Sequence, residues 1–124
     1  MKINEILEKY DIRLIVFDKD LFPRDGAYFP PERTIFLSDR IPEKERDRII
    51  LHELGHIRHN PKLYARLRDK YENEAERFMV RELLKKHLAN SDIYDFNWLQ
   101  FANKYKISTS WGQQMIQDEF KKLI

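Results

Sequence analysis

Apolar positions in the first forty residues follow a helical period, then a strand period. Ile3, Ile6, Leu7 and Tyr10 share one side of a short amphipathic helix over residues 3 to 10. Ile12-Arg13-Leu14-Ile15-Val16-Phe17 is β-branched and aromatic between charged residues, and predicts a strand. Residues 18 to 26 hold Pro23 and the turn pair Asp25-Gly26 and read as a loop. Ala27-Tyr28-Phe29 and Thr34-Ile35-Phe36-Leu37 are then the arms of a hairpin joined by Pro30-Pro31-Glu32-Arg33. Proline cannot donate to a ladder, so the first arm lies on a sheet edge or ends there. A small sheet of about three strands therefore precedes the helical part.

From Pro42 onward the period is helical. Pro42 suits a first turn, with Glu43 and Glu45 near the positive end of the dipole, and this helix runs to about His59. Asn60 caps the next helix and Pro61 opens it. Over residues 62 to 88, Leu63, Leu67, Tyr71, Glu74 and Phe78 form one stripe, apolar except for a single carboxylate. Glu72 and Glu76 are rotated away from that stripe at about 100° per residue. Two further helices follow, from about Asp92 to Tyr105 and from Trp111 to about Leu123, separated by a break at Ile107-Ser108-Thr109-Ser110. The fold class is α+β, with a small sheet that is antiparallel-rich. Residues 1 to 124 form one domain, in which 92 to 124 close the core or dock a partner.

The chemistry is concentrated in Leu51-His52-Glu53-Leu54-Gly55-His56. On a helix, His52 and His56 project from one face, one turn apart, and can hold one zinc ion. Glu53 stands beside the first ligand, within reach of a water on that metal. Such a site needs a third ligand, and the acid on the downstream stripe is a candidate. A carboxylate on a core-facing stripe is costly unless a cation meets it. That cation is either a buried Arg or Lys, or the zinc held by the histidine pair, and Glu74 is assigned to the zinc with Glu82 as second choice. His59 shares the face of the pair, yet a third ligand on the same unbroken helix would form a column rather than a tetrahedron, so its place is beside the cleft. His87, at the end of the long helix, favours the helix dipole. Gly55 interrupts the metal helix, either to admit another backbone or as a tolerated residue.

Composition narrows the setting. Aromatic residues at 13% and hydrophobic residues at 42% suffice for a packed core, and a net charge of +2 argues neither for nor against a nucleic-acid partner. The absence of cysteine removes disulfides and thiolate zinc sites and suits a reducing cytosol. The N-terminus shows no signal-peptide pattern and no stretch approaches the ~20 apolar residues of a membrane span, so a cytoplasmic enzyme is expected.

The motif Leu51-His52-Glu53-Leu54-Gly55-His56 followed by Glu74-Ala75-Glu76-Arg77-Phe78 resembles the ImmA/IrrE family of zinc metallopeptidases. Glu76 stands where that family shows Asn, and Met79 where it shows Ala. The resemblance covers residues 12 to 88 and implies a zincin-like α+β fold with these residues as the catalytic core. It implies an intracellular zinc endopeptidase that cleaves a partner repressor with a helix-turn-helix domain, releasing phage, mobile-element or stress genes. It further implies His52, His56 and Glu74 as zinc ligands, Glu53 as the catalytic acid/base, and the stand-alone form without an N-terminal DNA-binding domain. Tyr64, Tyr71 and His59 are candidates for oxyanion stabilisation, and the hairpin edge for pairing with substrate.

Two other functions compete. The stretch from Leu99 to Trp111 is somewhat like a helix-turn-helix, but the helix after it carries Gln113, Gln114, Gln117, Asp118 and Glu119, with lysines only at its end, which suits DNA poorly. A metal-containing module that sequesters a repressor without cutting it is the second.

Overall fold

The computed structural model describes residues 2–124. Helix α1 (Ile3–Lys9) leads into strand β1 (Arg13–Phe17). Strands β2 (Gly26–Phe29) and β3 (Thr34–Ser38) follow, joined by a single helical turn at Pro30–Glu32. Arg33 closes this connection with φ 47°, a left-handed conformation, while its side chain donates to the carbonyls of Tyr10 and Asp11. The strand order is β1-β3-β2. β3 pairs in parallel with β1, Arg13 opposite Thr34, and antiparallel with β2, Gly26 opposite Leu37. The expected antiparallel-rich sheet is therefore mixed. β2, the arm that stops at Pro30 and Pro31, is an edge strand.

Helix α2 (Glu43–Leu54) lies across β2 and β3 and carries the first histidine. It ends at Leu54 rather than at His59. Beyond it the backbone tightens into successive short turns, His56 N–H to Glu53, Ile57 N–H to Leu54 and His59 N–H to His56. Helix α3 (Tyr64–Leu88) packs against α2 and bends at Leu67, whose φ and ψ of −109° and 22° are not helical. Helices α4 (Trp98–Lys104) and α5 (Thr109–Leu123) are capped by Asn97 and Ser108. The helix expected from Asp92 begins only at Trp98, because residues 93–95 form a separate short turn.

The core joins all these layers. Ile35 and Leu37 from β3, Ile50 and Leu54 from α2, Val80, Leu83 and Leu84 from α3, and Phe101 and Ile116 from α4 and α5 are buried together. The two C-terminal helices thus close the core. α5 is tied down by Glu119, 0 % exposed, which accepts hydrogen bonds from Arg81 at 2.7 Å, Lys122 at 3.0 Å and Arg77 at 3.4 Å. No helix among the described residues is long and apolar enough to cross a membrane.

Candidate metal centre

The crossing of α2 and α3 builds the site. At Gly55 the two backbones come so close that a Cβ there would lie 2.7 Å from the Cα of Ala75 and 2.9 Å from its carbonyl oxygen. This glycine admits a neighbouring backbone, the first of the two readings open in the sequence. The contact brings His52 and His56 against one flank of α3. Ligand atoms of His52, His56 and Glu72 all fall within 4.8 Å of one another. His52 Nε2 is 3.0 Å from one Glu72 oxygen, and His56 Nε2 is 3.5 Å from the other.

Glu74, expected as the third ligand, is not brought to the pair. Its side chain is 45% exposed and accepts a hydrogen bond from His59 Nε2 at 2.8 Å. The helix turns it to the far side of the Ala75 contact, and Glu72 takes the position beside the histidines. Glu82, the second choice, pairs with Lys85 instead.

The outer contacts orient the imidazoles. Glu76 lies 2.6 Å from His52 Nδ1. His59 Nδ1 lies 3.0 Å from His56 Nδ1. Since Glu74 takes the Nε2 proton of His59, the His59 Nδ1 lone pair is free to accept from His56 Nδ1–H. In both histidines the Nδ1 side is thus engaged and Nε2 is the atom turned toward Glu72, the orientation that outer contacts impose on metal-binding histidines. His59 is fixed further by stacking on Tyr71, with ring centroids 4.0 Å apart and planes 5° from parallel. Its place beside the cleft, outside the ligand set, is the one the sequence suggested.

The charges follow the packing. Burial opposes protonation of His52, but Glu76, Glu53 and Glu72 outweigh it and hold its pKa above the ordinary value. Burial lowers that of His56, which favours the uncharged ring. Burial would raise the Glu72 pKa, yet the Tyr64 hydroxyl, which donates to it at 2.5 Å, and the two histidines bring it below the usual carboxylate range. Glu53 is buried and goes the other way. Desolvation raises its pKa despite His52, Arg24 and the Tyr28 amide. A raised carboxyl pKa suits a group that must both take and give a proton.

A cavity of about 300 Å³ opens over these residues, lined by Glu53, His56, Glu72 and Tyr64 on one side and by Ala27 and Tyr28 of β2 on the other. Ser38 N–H donates to the Asp25 carbonyl, so the alternation of an antiparallel ladder turns Asp25, Ala27 and Phe29 toward β3 and Gly26 and Tyr28 toward the free edge. The backbone groups of Gly26 and Tyr28 are thereby presented beside Glu53. Gly26 is required there, because a Cβ would meet Ile49 at 2.8 Å. Sequence reasoning missed Glu72, Glu76 and Arg24 at this site. The first two are one turn apart and flank Ala75, a small residue that marks where the helices cross.

His87 sits among Phe96, Phe101 and Tyr105, where burial lowers its pKa, away from the cleft.

No match was found among curated proteins. A family model does match, that of the IrrE N-terminal-like domain, Peptidase M78, over residues 7–116. That span takes in the sheet, both helices of the histidine–carboxylate cluster and most of the closing helices, so the chain belongs to the Peptidase M78 family of IrrE N-terminal-like domains.

Proposed function

We propose that this protein is a zinc-dependent endopeptidase that cleaves a partner transcriptional repressor of the helix-turn-helix class inside the cell. One observation carries the reading: two oriented imidazole Nε2 atoms and one carboxylate converge beside a buried second carboxylate, in a cleft flanked by a free strand edge. The donor set of two imidazole nitrogens and one carboxylate oxygen suits zinc, and three protein ligands leave a position for water. Zinc bound there lowers the pKa of water and polarises a carbonyl.

The residues of the chain divide the remaining work. His52, His56 and Glu72 hold the ion, with Glu76 and the His59–Glu74 pair fixing the two rings. An extended peptide pairs with the outward groups of Gly26 and Tyr28, which sets its carbonyl over Glu53. Glu53 takes the proton of the attacking water and delivers it to the leaving amine. The repressor as substrate is supported by the likeness to ImmA/IrrE peptidases.

The test uses purified protein with repressors of the helix-turn-helix class. Cleavage by the wild type, stopped by a chelator and absent in Glu53→Gln, is expected. Equal inactivation of the repressor by Glu53→Gln would make sequestration the mechanism instead.

A further inference from the structure

The cleft does not end at Glu53. On the other side of that residue lies a second cavity of about 260 Å³, lined by Arg24, Arg48, Ile49, His52 and Glu53 among others. Arg24 lines both cavities and so stands where the cleft passes from one to the other. Among the described residues it makes no ion pair. Its neighbour Asp25 is taken by Lys19 at 3.0 Å. Of the acids in the second cavity, Glu76 is engaged by His52. Arg48 reaches only Glu45, through one Nη at 3.5 Å, which leaves other donors of its guanidinium group without a protein partner. Two guanidinium groups with spare donors thus line one end of the cleft.

We infer that Arg24 and Arg48 form a subsite for an acidic side chain, so that the preferred substrate carries Asp or Glu close to the scissile bond. The inference rests on the peptidase reading and names its substrate class. A guanidinium offers a planar fork of donors that matches a carboxylate, and Gln in the peptide cannot replace the charge. Gly26 starts the strand edge beside Arg24, so a peptide paired with β2 continues toward these two arginines.

The experiment uses decapeptide libraries with Glu, Gln or Lys fixed at each position in turn. Wild type is expected to cleave the Glu series about tenfold faster than the Gln series at one or two positions, a ratio typical of one charge-assisted hydrogen bond. Arg24→Gln and Arg48→Gln should each flatten that ratio, and Arg24→Glu should turn it toward Lys. Binding of the labelled Glu and Gln peptides to Glu53→Gln, followed by fluorescence anisotropy, gives a readout independent of cleavage. Cleavage without charge preference overturns the subsite and leaves the peptidase intact. Charge-dependent binding that is lost in Arg24→Gln, with no cleavage of any peptide or of the repressors, supports a carboxylate-binding site and removes the peptidase reading. Equal binding of Glu and Gln peptides overturns the subsite whatever the cleavage result.

Discussion

Replacing Gly55 by Ala tests whether the helix crossing sets the metal centre. The backbone at Gly55 has φ −63° and ψ −15°, which Ala adopts without strain. From propensity alone the change stabilises by about 0.5–1 kcal/mol. Packing opposes it. The new methyl lies 2.7 Å from Ala75 Cα and 2.9 Å from Ala75 O, both backbone atoms that no side-chain rotation can move. Ordinary contact needs a separation of α2 and α3 by roughly 0.7 Å, and overpacking of this kind costs about 1–3 kcal/mol. The net expectation is a loss of about 1–2 kcal/mol. The displacement falls between His52 and His56 on one side and Glu72 on the other, while metal–ligand distances tolerate about 0.2 Å, so zinc affinity should fall by about 10- to 100-fold. Urea unfolding with chelator present measures the first effect, and competition with a fluorescent zinc indicator the second. Gly112→Ala is the control. Its methyl meets only side-chain ends, Ile107 Cγ2 at 3.1 Å and Ile116 Cδ1 at 3.5 Å, and its stability should stay within about 0.5 kcal/mol of wild type or rise. A Gly55→Ala protein as stable as wild type and with the same zinc affinity would refute the crossing as the organiser of the site.

Further predictions concern the carboxylates. Glu72→Ala should lose zinc on desalting, whereas Glu74→Ala should keep it with affinity weakened about 10-fold through loss of the His59 contact, as measured by metal analysis and indicator competition. Equal loss in both variants would count against the ligand set. Glu119→Gln should lower stability at pH 7 by about 2–3 kcal/mol in urea melts, less than a fully stranded ion pair because Arg77, Arg81 and Lys122 remain partly hydrated. Burial pushes the Glu119 pKa up, but its bonds to Lys122 and Arg81 win and depress it. A depressed carboxylate contributes its full stability above the unfolded value and loses it as pH falls, so the gap between wild type and variant should shrink below about pH 4.

Much of the fold was legible because local patterns agreed with the tertiary ones. The run from Ile12 to Phe17, the prolines after Phe29 and Asn60, which caps a single turn just before α3, each signal their elements within a few residues. What local pattern could not show was pairing over distance. The parallel register of β1 on β3 depends on the left-handed turn at Arg33, a conformation no glycine announces. Glu119 reads as one more polar residue on a Gln-rich helix, and its partners Arg77 and Arg81 lie on another helix about forty residues away. The end of α2 at Leu54 was hidden for a related reason. The tight turns after Gly55 keep His56 on the side of His52, so the two imidazoles stay together across a helix end.

The exchange of Glu74 for Glu72 has a geometric cause. The apolar stripe through Leu67, Tyr71, Glu74 and Phe78 assumes that large side chains mark the face turned to α2. They do not, because the face nearest α2 is marked by the smallest residue, Ala75, 0 % exposed against Gly55. Taking Ala75 as the contact direction and about 100° per residue, Glu72 lies about 60° to one side and Glu76 about 100° to the same side. Glu74 lies about 100° to the opposite side, and Phe78 about 60° that way, where its ring meets Tyr10. Only one flank of α3 can face the histidines, and a carboxylate at position 72 reaches it from nearest the contact. The bend at Leu67 adds to the error, since it breaks the phase of any stripe begun at Leu63. Placing the crossing on the Gly–Ala pair puts Glu72 beside the two histidines, and the same step gives Glu76 and Glu74 their separate contacts with His52 and His59 on either side of the helix.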